Sequence, residues 1–175
     1  MRKLKNSELE RISVDNFINS KKTPIIVVLD NVRSALNVGS AFRTSDAFRI
    51  EKIYLCGITS TPPNKEIRKS ALGSTNSVEW EYSEKTEEVV LKLRKEGYLV
   101  CAIEQVSNSV MLNNFKLTEK PLVVVFGNEV NGVQQSVVDL CDVCIEIPQI
   151  GTKHSLNISV SIGVVLWDLF CKVNQ

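Results

Sequence analysis

The chain has 175 residues, 43% of them hydrophobic and 23% charged, and a formal net charge of +1 at pH 7. A chain of this length and composition can bury the core of one globular domain without disulfides or a structural metal. Its apolar runs are shorter than the roughly 18 residues of a membrane span, and its charged start is not followed by the apolar segment of a signal peptide. We therefore expect a cytoplasmic protein with no membrane partner.

The cysteines and the single histidine limit the metal chemistry that the chain can support. The five cysteines are scattered through apolar segments, which is typical of reduced, buried thiols. Cys141 and Cys144 have CxxC spacing, but a zinc site usually needs a second such pair or more histidines. We therefore expect no metal site.

The charges are distributed unevenly along the chain. Residues 1–70 contain 13 Lys+Arg and 7 Asp+Glu, a net charge of +6, whereas residues 71–175 contain 8 and 13, a net charge of −5. A chain with this asymmetry can present a basic face to a nucleic-acid backbone while it stays near neutral overall. Ordinary solvated lysines are the alternative explanation.

The start of the chain has the pattern of an extension to the main fold. Residues 4–20 have the periodicity of an amphipathic helix, and Lys21–Pro24 ends it. A continuous apolar run follows and begins a central strand. The sequence therefore predicts an N-terminal helical extension over residues 1–22 and a main domain over residues 23–175.

From residue 25 onwards, strand patterns alternate with helix patterns. The first strand pattern is apolar and β-branched throughout, as expected for a strand covered on both faces. Strands are predicted at 25–29, 53–56, 78–82, 98–103, 122–126 and 143–147. Helices are predicted after the first strand and at 65–70, 83–96, 134–140 and 156–171. The segment SLNISVSI alternates like a strand, but the apolar run after it favours a final helix with Ser155 as its N-cap. This order predicts a single open, mainly parallel α/β sheet flanked by helices.

Polar or glycine-containing loops follow three of the predicted strands. They begin at Glu104-Gln105, at Gly127 and at Pro148. The carboxyl ends of parallel strands meet at one edge of a sheet, where ligands normally bind. The chain has no GxGxxG after its first strand, no GxxxxGK[ST] and no GxSxG, which argues against the common nucleotide and hydrolase sites.

Three stretches carry a resemblance to a known family: NVRSALNVGSAFRT, VFGNEVNGV and IEIPQIGTKHSLNISVSIGVVL. They resemble the three motifs of the SpoU/TrmH branch of the SPOUT RNA methyltransferases, in the family's order, from about residue 24 to residue 171. The resemblance implies a deep trefoil knot in the C-terminal third. It also implies that S-adenosylmethionine is the cofactor, held by main-chain groups at Gly127, Ile147 and Leu156.

The resemblance further implies which residues are catalytic. Asn37 and Arg43 match the first motif, Glu129 the second, and Ser155 and Asn157 the third. The reaction would be methyl transfer to a ribose 2′-hydroxyl of RNA. Because a neutral guanidine is costly, we expect Arg43 to clamp an RNA phosphate and stabilise the developing alkoxide. The two asparagines and the serine would hold the hydroxyl, and Glu129 would brace its loop.

The resemblance also implies a homodimer with the active site beside the interface. Trp167, Leu169 and Phe170 are candidates for that contact, although core burial is the simpler interpretation of each. The compact chain favours tRNA as the RNA partner, with ribosomal RNA as the near alternative. A knotted RNA-binding protein without activity and a generic small-molecule enzyme are the other interpretations.

Overall fold

The computed structural model describes residues 1–174 and contains a seven-stranded sheet. The strands are β1 (Thr23–Asp30), β2 (Ile50–Cys56), β3 (Trp80–Ser83), β4 (Leu99–Ile103), β5 (Val110–Met111), β6 (Leu122–Phe126) and β7 (Val143–Glu146). Their order across the sheet is β3-β2-β1-β6-β4-β7-β5, and every neighbouring pair is parallel. The prediction of a single open, mainly parallel α/β sheet is therefore confirmed, while the trefoil knot stays a prediction.

Among residues 1–174, six α-helices connect or flank the strands. They are α1 (Val14–Asn19), α2 (Ala35–Ala47), α3 (Lys65–Ala71), α4 (Thr86–Lys95), α5 (Gln135–Val138) and α6 (Ile158–Val173). Short 3₁₀ turns lie at Asn6–Glu8, Ser74–Asn76 and Leu112–Asn114. No helix among residues 1–174 combines the length and the apolar character that crossing a membrane requires.

Two hydrophobic layers cover the sheet, because successive side chains of a strand point to opposite faces. In β1, Ile25, Val27 and Leu29 pack with side chains of α2, α3 and α6 on one face. Ile26 and Val28 pack with side chains of α4 and α5 on the other face. Both faces of the central strands are therefore buried, which explains their continuous apolar sequence.

The N-terminal helix, the edge of the sheet and the start of the last helix differ in detail from the predictions. The N-terminal helix is only α1, with Ser13 as its N-cap; Phe17 is its single buried residue, so little packing supports a longer helix. The short edge strand β5 was not predicted, because its two residues are exposed and too few to show a pattern. Ser155 as the N-cap of the last helix is wrong: Asn157 holds that position and its Oδ1 accepts a 2.9 Å hydrogen bond from the Ser159 N–H.

Helices α2 and α3 are packed unusually close together. A Cβ atom on Gly39 of α2 would lie 2.1 Å from Ser70 Oγ and 2.4 Å from the Ile67 carbonyl oxygen of α3. The Ser70 hydroxyl also donates a 2.8 Å hydrogen bond to the Leu36 carbonyl. Only glycine allows this approach, so the position of α3 is fixed directly by α2.

Candidate functional site

A cleft of about 450 Å³ lies at the carboxyl edge of the sheet. The loops that follow β6, β4 and β7 line it, and these three strands are neighbours in the sheet. The carboxyl edge is where parallel sheets bind ligands, and the volume falls in the range of small-molecule sites. The polar loops after these three strands therefore meet around one cleft.

The loop after β6 is a closed turn held by its own backbone. The Asn128 N–H donates to the Gly132 carbonyl and the Gly132 N–H donates to the Asn128 carbonyl, each at 2.9 Å. The Asn128 side-chain oxygen also accepts hydrogen bonds from the Val130 and Asn131 N–H groups at 2.9 and 3.1 Å. A Cβ on Gly127 would lie 2.0 Å from the Gly132 carbonyl carbon, so Gly127 is required for the chain to close on itself.

Glu104, directly after β4, connects the neighbouring loops. Its carboxylate accepts hydrogen bonds from the Val133 N–H at 3.0 Å and from the Gln105 N–H at 2.8 Å. The Gln105 side-chain amide donates a 2.8 Å bond to the His154 carbonyl in the loop after β7. Gly132 has a φ of +68°, and a Cβ there would lie 2.1 Å from a carboxylate oxygen of Glu104. Loops from three strands are thus fixed against one another.

Glu129 connects the loop after β6 to the start of α2. Its carboxylate accepts hydrogen bonds from the Arg33 N–H at 2.9 Å, the Ser34 N–H at 3.0 Å and the Asn37 side-chain amide at 2.9 Å. Partial burial acts to raise the pKa of Glu129, but hydrogen bonds from these three groups outweigh it and hold the pKa below its ordinary value. Glu129 is therefore ionised at neutral pH and joins its loop to the helix that carries Asn37.

A buried carboxylate that the sequence analysis did not identify lies beneath these loops. Asp30, the fully buried last residue of β1, accepts hydrogen bonds from Thr86 Oγ1 at 2.6 Å, the Asn31 side-chain amide at 2.9 Å and the Gln134 N–H at 2.9 Å. The Asn31 carbonyl in turn accepts a 2.8 Å bond from the Asn128 side chain. A carboxylate at the end of a wholly apolar strand was the available signal, because such a group must find internal partners.

The structure brings most, but not all, of the predicted site residues to the cleft. Asn37 is held through Glu129, whereas Asn157 serves as the N-cap of α6 and is not among the residues that line the cleft. Arg43 lies on the exposed side of α2, outside the cleft, and forms no ion pair within residues 1–174. The predicted residues that line the cleft are Gly127, Glu129, Ile147, Ser155 and Leu156.

The cleft is acidic. The carboxylate-bearing residues Glu104, Glu129 and Glu146 line it, and no Lys or Arg among the described residues does. Glu146 also accepts a 2.6 Å hydrogen bond from the Ser109 hydroxyl. This lining suits a ligand with net positive charge, such as one that contains a sulfonium and an ammonium group, and disfavours a nucleotide phosphate. The residues present therefore fit S-adenosylmethionine.

The CxxC pair lies on the other face of the sheet. Burial is the main reason that the pKa of Cys141 is raised to about 12, and the pKa of Cys101 is raised to about 12 by the same cause. Both thiols are therefore protonated at neutral pH, and Cys141, like Cys144, packs against apolar side chains. Within residues 1–174, no three His, Cys, Asp or Glu side chains are grouped so that they could hold a metal ion.

Comparison with known proteins identifies the family. The family model described as "SpoU rRNA Methylase family" matches residues 24–167, most of the chain. The chain belongs to this family. Its relatives include the tRNA (guanosine(18)-2′-O)-methyltransferase of Aquifex aeolicus, which is 30% identical over 154 residues that cover 86% of this chain and 71% of the relative.

Solved structures of family members have the same fold. The TrmH/SpoU tRNA modifying enzyme of A. aeolicus matches with a TM-score of 0.82 and 27% identity over 92% of this chain and 81% of that one. An rRNA methyltransferase from Sinorhizobium meliloti, solved with AdoMet (S-adenosylmethionine) bound, matches with a TM-score of 0.79 and 29% identity. That match covers 91% of this chain and 60% of the other.

Family membership confirms the resemblance drawn from the three motifs. The SpoU/TrmH family consists of RNA methyltransferases whose methyl donor is S-adenosylmethionine, so the predicted enzyme class and cofactor are confirmed at the level of the family. Relatives of the chain include both a tRNA and an rRNA methyltransferase. The comparisons thus support an RNA substrate without distinguishing these two classes.

Proposed function

We propose that this SpoU family member transfers the methyl group of S-adenosylmethionine to a ribose 2′-hydroxyl of RNA, with tRNA as the favoured substrate. The observation that supports this most directly is the junction at Glu129. It ties the loop that lines the acidic cleft to the first turn of α2, the helix that carries Asn37 and Arg43. This junction supports an arrangement in which the donor and acceptor sites are neighbours.

The cleft residues have distinct roles toward the donor. Main-chain groups at Gly127, Ile147 and Leu156 would contact the adenine and its ribose, while the side chains of Ile147 and Leu156 supply apolar walls. Glu104 and Glu129 supply negative charge near the sulfonium. When bound, the donor supplies an electrophilic methyl group whose departure neutralises the sulfonium.

The acceptor residues lie at the mouth of the cleft. Asn37 donates its amide to Glu129, so its side-chain oxygen, which has no partner within residues 1–174, is directed elsewhere and can accept a hydrogen bond from the ribose hydroxyl. Ser155 lines the cleft and can take part in the same hydrogen-bond chain. Asn157 acts as a positioning residue, because its side chain fixes the start of α6 next to Ser155.

Arg43 has the role of an electrostatic clamp. Arg43 is exposed and forms no ion pair within residues 1–174, so its guanidinium is free to reach an RNA phosphate. A guanidinium beside the attacking oxygen would stabilise the alkoxide that develops as the 2′-hydroxyl loses its proton. The position of Arg43 outside the cleft of its own protomer means that RNA binding, or a second protomer, must complete the site.

A homodimer would supply that second protomer. On α6, Val160, Val164 and Trp167 are exposed and spaced along one face, and Trp167 is 56% exposed. The ring centroid of Phe48 lies 5.8 Å from that of Trp167 and 5.2 Å from that of Phe170, which extends the apolar face across α2. Such a face indicates a protein contact. We propose that this face of α6 forms the dimer interface.

Leu169, the third candidate for the dimer contact, is fully buried in the core, so the simpler interpretation of core burial holds for this residue. It faces the sheet rather than the exposed apolar face of α6.

The preference for tRNA and the cytoplasmic location are also proposals. The basic N-terminal part of the chain supports binding to a nucleic-acid backbone, and the relative from A. aeolicus is named as a tRNA methyltransferase. An exposed tRNA loop can be recognised through its shape and backbone. Such a substrate favours a cytoplasmic location.

The decisive experiment uses purified protein, S-adenosylmethionine with a labelled methyl group, and tRNA and rRNA fractions prepared separately. We expect the label in tRNA, and mass spectrometry of nucleosides should locate it on a ribose 2′-oxygen. Label found only in rRNA would instead identify rRNA as the substrate. RNA binding without methyl transfer, in a protein that does not bind the donor, would instead support a catalytically silent RNA-binding protein.

A further inference from the structure

A second groove, of about 630 Å³, lies between α3, the 3₁₀ turn Ser74–Asn76 and β3, outside the acidic cleft. It is lined on one side by Lys65 and Arg68 and on the other by Trp80. Neither cation forms an ion pair within residues 1–174. The two pockets thus have opposite charge, and the groove suits an anion with an aromatic part.

The charges of α3 are segregated in a way that supports this. Lys65 and Arg68 are three residues apart and therefore lie on the same side of the helix, toward the groove. Lys69, which does not line the groove, is neutralised by a 2.8 Å ion pair with Glu66. The helix therefore leaves its positive charge free only where it borders the groove.

The other lining groups match the parts of a nucleotide. Trp80 is half-buried and packs against the core, which fixes its ring, and Pro63 adds a second apolar surface. The side chains of Thr75 and Asn76 line the same groove and make no side-chain hydrogen bond to a residue that the structure describes. Aromatic rings bind bases by stacking, and Lys and Arg bind phosphates.

The helix α3, which borders the groove, packs directly against α2, the helix that carries Arg43. Gly39 is the point at which α2 contacts α3, and Arg43 is four residues later, so it lies on the same face of α2 as that contact. Contacting helices are about 8 to 10 Å apart, and the glycine allows an approach at the short end of this range. A strand of RNA held by Arg43 would therefore continue directly over α3.

We propose that this groove, which we call the α3 groove, binds a nucleotide that flanks the methylated one, with its phosphate on Lys65 and Arg68 and its base against Trp80. The proposal rests on the proposed RNA substrate and adds a second contact that positions the strand. It predicts that the groove binds single-stranded RNA even when no methyl donor is present.

The test uses the fluorescence of Trp80 in the full chain. The sequence has two tryptophans, so the variant Trp167→Phe leaves Trp80 as the only emitter. We expect saturable quenching on titration with a single-stranded RNA pentanucleotide of mixed sequence, and weaker quenching with adenosine 5′-monophosphate. Lys65→Ala combined with Arg68→Ala should weaken oligonucleotide binding by about tenfold and lower the slope of log affinity against log salt by about 0.7 per cation.

Lys69→Ala is the matched control, because it removes one positive charge from the same helix outside the groove. It should change the affinity by less than about twofold. All variants should bind S-adenosylmethionine like the parent, which shows that they are folded. The proposal would be overturned if Lys69→Ala and the double variant lost RNA affinity equally. It would also be overturned if RNA did not quench the fluorescence of Trp80, or if an acidic peptide quenched it as strongly as RNA does.

Methylation assays separate the two proposals. If the protein methylates no RNA, but RNA quenches Trp80 and the double variant loses this quenching, the proposed groove is supported and the proposed function is wrong. If the protein methylates RNA and the double variant has an unchanged KM for RNA, the proposed function is supported and the proposed role of the groove is wrong.

Discussion

Substitution of Gly127 by alanine is the sharpest test of the cleft. The new Cβ would lie 2.0 Å from the Gly132 carbonyl carbon and 2.1 Å from the Val133 nitrogen, whereas ordinary contact begins at 3.4 Å. Both are backbone atoms, so no flexible side chain can move aside. The turn must open by more than an ångström, which breaks the two backbone hydrogen bonds between Asn128 and Gly132.

The expected cost follows from these contacts. Overpacking of a tight site costs about 1 to 3 kcal/mol, and two lost hydrogen bonds add about 1 kcal/mol each, which together give about 3 to 5 kcal/mol. The loop can open locally, so the free energy of global unfolding falls by less than this sum. Donor binding requires the native loop, so the affinity for S-adenosylmethionine includes the full cost of restoring that loop. If this cost is about 3 kcal/mol, the affinity falls by about 100-fold.

Gly151→Ala is the matched control, because a Cβ at Gly151 meets no atom within 4 Å and the residue lies in the neighbouring loop. Isothermal titration calorimetry with S-adenosylmethionine and urea unfolding should be run on both variants. We expect at least a tenfold loss of donor affinity for Gly127→Ala and less than about twofold for Gly151→Ala. Indistinguishable affinities in the two variants would refute the argument that Gly127 closes the donor loop.

Three further predictions concern other residues. Arg43→Ala should lower the rate of methyl transfer at least about 100-fold and leave donor affinity unchanged, as measured by single-turnover assays and calorimetry. Glu129→Gln should destabilise the protein at neutral pH in urea unfolding. Because folding lowers the pKa of Glu129, this contribution is present above the ordinary carboxyl pKa and disappears as the pH falls through the lowered value. Trp167→Glu should shift sedimentation from dimer to monomer.

Each of these has its own control. Arg43→Lys retains the charge but not the planar fork, so it should recover part of the activity. Glu119→Gln changes an exposed carboxylate that accepts no hydrogen bond within residues 1–174, so it should leave the free energy of unfolding nearly unchanged. Trp167→Phe should remain a dimer. The Arg43 prediction would be contradicted if Arg43→Ala lowered donor affinity as much as it lowered the rate. The Glu129 prediction would be contradicted if the effect of Glu129→Gln on stability did not change with pH. A dimeric Trp167→Glu protein would contradict the proposed interface.

The sheet was predictable because its strands are buried on both faces. The apolar runs Ile25–Leu29 and Leu122–Phe126 admit no other interpretation in an alternating chain, and they pair residue by residue. The edge strand β5 escaped prediction because two exposed residues carry no periodicity. Exact helix starts depend on single hydrogen bonds, which is why Ser155 was predicted as a cap in place of Asn157.

The motifs predicted which residues belong to the candidate site, but not the contacts between them. The resemblance identified Asn37 and Glu129 separately, but the bond between them joins residues that are 92 positions apart, and no local pattern reports it. The buried carboxylate of Asp30 also accepts its hydrogen bonds from residues that are distant in the sequence, Thr86 and Gln134. Such contacts arise from the order of strands in the sheet, which places the ends of β1 and β6 next to each other.

The bond between Asn37 and Glu129 has a consequence for the energetics of catalysis. Since the carboxylate belongs to the donor loop and the amide to α2, ordering of one element by its substrate restricts the other. Linkage then requires that the donor and RNA alter each other's binding constants by the same factor. Calorimetric titration of S-adenosylmethionine should therefore give different constants with and without saturating RNA, and the enzyme should show heterotropic cooperativity between its two substrates.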